Sequence, residues 1–169
     1  RWLALARALV GEGVTCLGVE WFDKPPGAAS PTPPHQDNRY FSLTPPNVVT
    51  VWLALDPVDD ANGCLRYVAG SHRRGPRPHG RSDVLGFSQG VTDYGDADRA
   101  AEVAVHLRPG DAVAHHGHTV HRADPNRSPR HRRAFAMVFR GASCRRDEEA
   151  FARYTADLDA QHAALGRKA

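Results

Sequence analysis

Long apolar runs and paired cysteines are both missing from this chain of 169 residues. No segment approaches the roughly 20 consecutive apolar residues that a membrane-spanning helix needs, so we expect no membrane partner. The three cysteines are scattered, and none forms a CxxC pair. This spacing predicts structural thiols in a reducing compartment, which we take to be the cytoplasm. The chain begins with Arg1 and not Met, so we expect that it lacks its native N-terminal segment.

Basic stripes interleaved with aromatic residues are also absent, although the formal net charge is +3. We therefore interpret the charge as an ordinary basic surface and expect no nucleic-acid partner. A hydrophobic content of 41% with 24% charged residues is typical of a folded globular protein. The length predicts one domain over residues 1–169, and nothing in the sequence indicates an oligomeric state.

Short apolar segments separated by glycine and proline turns make up most of the chain. Helical spacing of apolar residues is confined to the two ends, at 1–10 and 147–165, and the Pro-rich segment 24–34 predicts a loop. Strands are predicted at 14–22, 48–55, 64–68, 103–107, 112–115 and 134–140. This pattern predicts a mainly β fold: a double-stranded β-helix (jelly-roll, cupin-like) core with flanking helices at both ends.

The segment 73–101 is polar and contains five glycines. A connection of this length inside a small domain is more often functional than idle. We predict that it is a lid or a substrate loop.

A histidine and an aspartate flank one residue in His35-Gln36-Asp37. In an extended segment, residues i and i+2 point to the same side, so His35 and Asp37 converge. They would supply two of the three ligands of a 2-His-1-carboxylate site, which binds Fe(II) and leaves positions open for a cosubstrate and O₂. Taken alone, this pattern is common by chance and also fits a surface turn.

A third ligand is expected from another strand, and four histidines fall within seven residues at His115, His116, His118 and His121. The residues alone do not choose among these four. The cluster also fits a zinc site or a polar edge, but a structural zinc prefers a closed tetrahedral set and no cysteine lies near.

An arginine pair, Arg132 and Arg133, opens the predicted strand that follows the histidine cluster. A guanidinium binds a carboxylate with two parallel charge-assisted hydrogen bonds. One of the two is therefore a candidate anchor for the distal carboxylate of 2-oxoglutarate, although a surface arginine needs no functional explanation.

Several segments between 24 and 141 together resemble the phytanoyl-CoA dioxygenase-like oxygenases. The matching segments are KPP at 24–26, PHQD at 34–37, VVTVWLALDPVDDANGCLRYVAGSH at 48–72, GDAVAHHGHTVHRADPNRS at 110–128 and RRAFAMVFRG at 132–141. Their combination is far more specific than any one of them.

The resemblance implies His121 as the third metal ligand and Arg132 as the cosubstrate anchor, and it implies that Trp52 and Gln36 lie at the 2-oxoglutarate site. It also implies Fe(II), with 2-oxoglutarate and O₂ as cosubstrates, in a dioxygenase that hydroxylates a small molecule and releases succinate and CO₂. One departure is Ala123, where many members have a serine that contacts the cosubstrate.

The substrate pocket is expected beside Arg39, Tyr40, Phe41 and Arg66, and His116 is expected to orient the site as a hydrogen-bond donor. Desaturation, ring formation or epimerisation by the same iron chemistry leaves no mark on the ligands. A non-catalytic jelly-roll binding module is the alternative from another class. The carboxylate of Asp37 argues against a halogenase, because halogenating relatives have a small residue there.

Overall fold

Two four-stranded antiparallel sheets form the centre of the computed structural model, which describes residues 1–84 and 87–164. The strands are β1 (Val14–Lys24), β2 (Thr32–His35), β3 (Leu43–Thr44), β4 (Val48–Ala54), β5 (Leu65–Val68), β6 (His79–Val84), β7 (Phe87–Val91), β8 (Glu102–Val105), β9 (Ala112–His116), β10 (His121–Ala123), β11 (Arg132–Gly141) and β12 (Arg145–Arg146). The α-helices are α1 (Trp2–Val10), α2 (Asn38–Phe41), α3 (Asp96–Ala100) and α4 (Glu148–Ala164), and a 3-10 helix covers Ser71–Arg74.

The first sheet has the strand order β1-β11-β4-β9, and the second has the order β2-β10-β5-β8. From β8 to β11, each strand along the chain lies in the opposite sheet from the strand before it. This alternation is the topology of a double-stranded β-helix, so the predicted fold class is confirmed.

The main apolar core lies between the two sheets. Trp52 and Ala136 contribute from the first sheet, and Leu65, Tyr67 and Ala123 contribute from the second. A smaller apolar cluster on the outer face of the first sheet includes Val51 and Phe139 and is covered by helix α1. Strand β4 is therefore buried on both faces, which explains its nearly continuous apolar sequence.

The predicted loops contain elements that the sequence pattern did not indicate. Strand β2 includes two prolines, which have no backbone N–H to donate. The prolines are tolerated because β2 is an edge strand of its sheet. Segment 73–101 is not a bare loop, because it contains the β6–β7 hairpin and α3.

The predicted helix at 147–165 is α4, apart from Leu165, which lies outside the described residues.

No helix in the described part of the chain has both the length and the apolar character needed to cross a membrane.

The turn at Asn62-Gly63 brings the start of β5 against the segment that follows β10. Gly63 has a φ of 76°, and a Cβ added to it would clash with the backbone carbonyl oxygen of Asp124. Only glycine combines this left-handed conformation with so close a backbone approach.

We expect Gly63→Ala to destabilise the protein more than Gly27→Ala does. Both positions have positive φ, but a Cβ at Gly27 would meet no atom within 4 Å. Alanine in the left-handed region costs about 1 kcal/mol at either position, and the clash at Gly63 adds roughly 1–3 kcal/mol. Urea unfolding measures the free energy of unfolding of each variant. Equal decreases in the two variants would mean that the close approach of Gly63 to Asp124 does not contribute to the effect.

Candidate metal centre

Three potential metal ligands from two segments of the chain meet between the two sheets. His35 ends β2 and His121 begins β10, and the two residues are direct register partners. Asp37 follows β2 by two residues, at the start of α2. The structure brings His35, Asp37 and His121 together with their ligand atoms all within 4.8 Å of one another.

The separations of these atoms suit ligands of one ion. Asp37 Oδ1 lies 3.4 Å from His35 Nε2 and 3.5 Å from His121 Nε2. Charge-assisted N–H···O bonds are shorter, at about 2.7–2.9 Å. Neighbouring ligands around an octahedral ion at about 2.1 Å lie about 3 Å apart, which is close to the observed spacing.

Both imidazole rings are oriented by their own backbone neighbourhood. His35 Nδ1 donates to the carbonyl oxygen of Pro33 at 2.8 Å, and His121 Nδ1 donates to that of Thr119 at 2.9 Å. With the proton on Nδ1, each Nε2 has a free lone pair, and a metal ligand needs one. The backbone carbonyls therefore aim both lone pairs at the same point.

The second carboxylate oxygen of Asp37 faces the first sheet. Asp37 Oδ2 accepts hydrogen bonds from Thr50 Oγ1 at 2.5 Å and from His115 Nε2 at 2.8 Å. Burial opposes the charge of Asp37, but the surrounding imidazoles, among them the hydrogen-bond donor His115, lower its pKa by more, so that it lies well below its usual range. Asp37 is therefore a carboxylate at neutral pH, with Oδ1 left for a cation.

His121 is held in the neutral form that metal ligation requires. Its burial, followed by the proximity of His35, lowers its pKa well below the usual value. A cation therefore does not have to displace a proton from this ring at neutral pH.

Arg132 and Arg133 have opposite environments. Arg132 is only 4% exposed, its guanidinium lies 5.2 Å from the centre of the Trp52 ring, and its Nε has no hydrogen-bond partner among the described residues. Burial lowers the pKa of Arg132 to about 10, so it remains charged at neutral pH. The Arg133 side chain is 48% exposed and forms an ion pair with Asp56 at 2.8 Å. Of these two arginines, Arg132 is the one with a buried donor that has no partner among the described residues.

A cavity of about 400 Å³ contains both the metal centre and Arg132. Tyr40 and Phe41 line it, as expected, and Trp52 lies in its wall. The hairpin within 73–101 contributes Val84, Phe87 and Ser88, so part of the predicted lid or substrate loop does border the cavity. Helix α4 contributes Tyr154, Leu158, Gln161 and His162.

Three residues expected at the site lie elsewhere. Gln36 uses its amide to donate to the carbonyl oxygens of His118 and Gly75, and its Oε1 accepts from the backbone N–H of Arg77. Its side chain therefore joins loops and is not in the cavity wall.

Arg66 and Arg39 are likewise absent from the cavity wall. Side chains alternate along β5, so Arg66 faces outward and forms ion pairs with Asp60 and Asp124. Arg39 donates to Gln89 at 2.5 Å. The pattern of basic residues in the sequence did not show that both already have protein partners.

His115 occupies the position expected for His116. The His116 ring instead accepts from the backbone N–H of His118 through Nδ1. His115 and Thr50 were missed because their contact with Asp37 depends on the pairing of β9 with β4, where the two residues are register partners. Glu20, in the cavity wall, was also missed, and no motif in the sequence singles it out.

Comparison with known proteins places the chain in a family. The bovine (Bos taurus) peroxisomal phytanoyl-CoA dioxygenase is 29% identical over 150 residues, which are 84% of this chain and 44% of that protein. The chain therefore spans less than half the length of this relative.

Solved structures are similar as well. EvdO2 from Micromonospora carbonacea var. aurantiaca, complexed with 2-oxoglutarate, is 32% identical with a TM-score of 0.72, covering 83% of this chain and 58% of that one. The epimerase SnoN, in complex with Fe³⁺, alpha-ketoglutarate and nogalamycin RO, is 28% identical with a TM-score of 0.71, covering 85% of this chain and 56% of that one. The family model for phytanoyl-CoA dioxygenase (PhyH) matches residues 1–134, and the chain belongs to this family.

Proposed function

We propose that this chain carries the catalytic site of an Fe(II)- and 2-oxoglutarate-dependent dioxygenase that hydroxylates a small molecule. The observation that carries the proposal is one cavity that contains both an open His-Asp-His centre and the buried guanidinium of Arg132. The EvdO2 structure contains 2-oxoglutarate, and the SnoN structure contains Fe³⁺ with alpha-ketoglutarate, which supports the same pair for this chain.

His35, Asp37 and His121 would hold the iron. Two neutral imidazoles and one carboxylate form the facial ligand set of non-haem Fe(II) oxygenases, and they leave positions open on the opposite side. Bound Fe(II), with 2-oxoglutarate and O₂, supplies an oxidant for an unactivated C–H bond, while 2-oxoglutarate becomes succinate and CO₂.

Arg132 would bind the distal carboxylate of 2-oxoglutarate. Its guanidinium can donate two parallel hydrogen bonds, and its unpaired Nε is available for one of them. Trp52 supports the flat face of the guanidinium. Because the surroundings exclude water, each charge-assisted bond is stronger than it would be at the surface.

The remaining cavity wall would receive the substrate. Tyr40, Phe41, Phe87 and Leu158 make much of it apolar, and Glu20 adds a carboxylate. Apolar walls with few polar groups are typical of small-molecule sites. We infer that the substrate is largely apolar and carries a hydrogen-bond donor near Glu20.

Epimerisation by the same iron chemistry is a second candidate. It is favoured by the similarity to SnoN, which is an epimerase. The metal ligands do not distinguish the two outcomes, because substrate placement decides which atom reacts.

We also propose the cytoplasm as location, supported by three free thiols at Cys16, Cys64 and Cys144.

We expect Arg132→Gln to weaken 2-oxoglutarate binding, with Arg133→Gln as the matched control. Losing charge-assisted hydrogen bonds worth about 1.5–3 kcal/mol raises the half-saturating 2-oxoglutarate concentration roughly 10- to 100-fold. Anaerobic addition of Fe(II) and then 2-oxoglutarate measures this through the visible metal-to-ligand charge-transfer band. Equal behaviour of the two variants would contradict the anchor assignment.

We expect His121→Ala to abolish stoichiometric Co(II) binding and turnover, while His106→Ala leaves both intact. His106, with Asp60 and Cys64, forms another group with metal-binding residue types, but Arg66 also pairs with Asp60 there. Calorimetric Co(II) titration distinguishes the two groups. Loss of binding in His106→Ala alone would place the metal at the surface group.

A screen for succinate release tests the reaction itself. Succinate that appears with a small molecule and O₂ supports a dioxygenase, and an alcohol product supports hydroxylation. Retained iron binding with no succinate from any substrate would favour a non-catalytic jelly-roll binding module.

A further inference from the structure

The histidine cluster contains one ring that lies beside the metal centre without being one of its ligands. His115 is buried in β9, and both of its ring nitrogens have side-chain partners. Its Nε2 lies 2.8 Å from Asp37 Oδ2, and its Nδ1 lies 3.0 Å from the hydroxyl of Tyr67. The ring therefore connects a tyrosine of the second sheet to the ligand carboxylate.

The Asp37 carboxylate, at one end of this chain of hydrogen bonds, determines which atoms donate and which accept. A metal-binding carboxylate is deprotonated and can only accept, so the 2.8 Å contact assigns the proton between the two side chains to His115 Nε2. In a ring that carries its single proton on Nε2, Nδ1 is an acceptor, and the Tyr67 hydroxyl at 3.0 Å is placed to donate to it. Tyr67 thereby selects the tautomer that can bind Asp37.

The oxygen of Asp37 that faces away from the imidazole ligands is Oδ2. Oδ2 accepts from both Thr50 and His115. A carboxylate oxygen that already accepts two strong hydrogen bonds is a poor additional metal ligand. Only Oδ1 then points toward His35 and His121.

We propose that His115, oriented by Tyr67, is a positioning residue that keeps Asp37 a one-oxygen metal ligand and so preserves the open coordination positions. This inference rests on the proposed function, because it assumes a metal at His35, Asp37 and His121. In this role His115 acts through Asp37 and not directly on the cosubstrate or the substrate.

The test compares His115→Phe, which keeps a flat ring without donors, with His115→Gln, which keeps an N–H donor. His116→Phe is the control, because His116 is the next residue and contacts the backbone of His118, not Asp37. We expect His115→Phe to weaken Co(II) binding roughly 10- to 100-fold and to shift the visible d–d bands of the Co(II) protein.

His115→Gln should restore most of the affinity and the wild-type spectrum, and His116→Phe should match wild type. Tyr67→Phe removes only the hydroxyl and should give a smaller loss than His115→Phe. Thermal unfolding of each metal-free variant shows whether it is folded. If His115→Phe binds Co(II) like His116→Phe, or if phenylalanine and glutamine are equally weak, the hydrogen bond has no positioning role and the proposal is overturned.

A measurement on the metal-free protein separates this proposal from the proposed function. Long-range ¹H–¹⁵N spectra of the histidine rings should show His115 with its proton on Nε2, and Tyr67→Phe should perturb that signal. A proton on Nδ1 overturns the positioning role whatever the metal does. Wild-type protein that shows the Nε2–H tautomer but binds no Co(II) would overturn the proposed function, and with it the role toward a metal.

Discussion

The buried carboxylate of Asp37 contacts polar side chains from both sheets of this protein. Its Oδ1 faces the imidazoles of His35 and His121, which belong to the second sheet. Its Oδ2 accepts hydrogen bonds from Thr50 and His115, which belong to the first sheet. A charge in such a place is costly unless it is paired and hydrogen-bonded. Both sheets must therefore keep their registers for the carboxylate to be satisfied.

The loops around this point are built to maintain those registers. Asn126 donates to the backbone carbonyls of Lys24, Pro25 and Arg130, which ties the end of β1 to the turn before β11. Ser128 completes the turn by donating to the Asn126 side chain. Asn126 and Ser128 thus fix the turn that leads into β11, the strand on which Arg132 enters the cavity.

The structure brings together the three residues that were predicted as metal ligands, whereas several residues predicted around them lie elsewhere. The His-x-Asp spacing is local, so side-chain alternation was enough to predict that His35 and Asp37 converge, although Asp37 lies at the start of α2 and not in a strand. Gln36 lies between these residues, yet its amide is taken up by backbone groups of His118, Gly75 and Arg77. The resemblance implied a place for Gln36 at the cosubstrate site, and contacts with such distant partners leave no periodic pattern in a sequence that could have corrected it.

Composition and spacing by themselves determined the β class, the helices at the ends and the candidate ligands, because these depend on the alternation of side chains over a few residues. Tertiary structure decided which histidine holds Asp37, which arginine is buried and which walls form the cavity. His115 and His116 are adjacent and identical in type, and only the pairing of β9 with β4 separates them. Arg132 and Arg133 differ only by the alternation of β11, which turns one guanidinium into the cavity and the other toward Asp56.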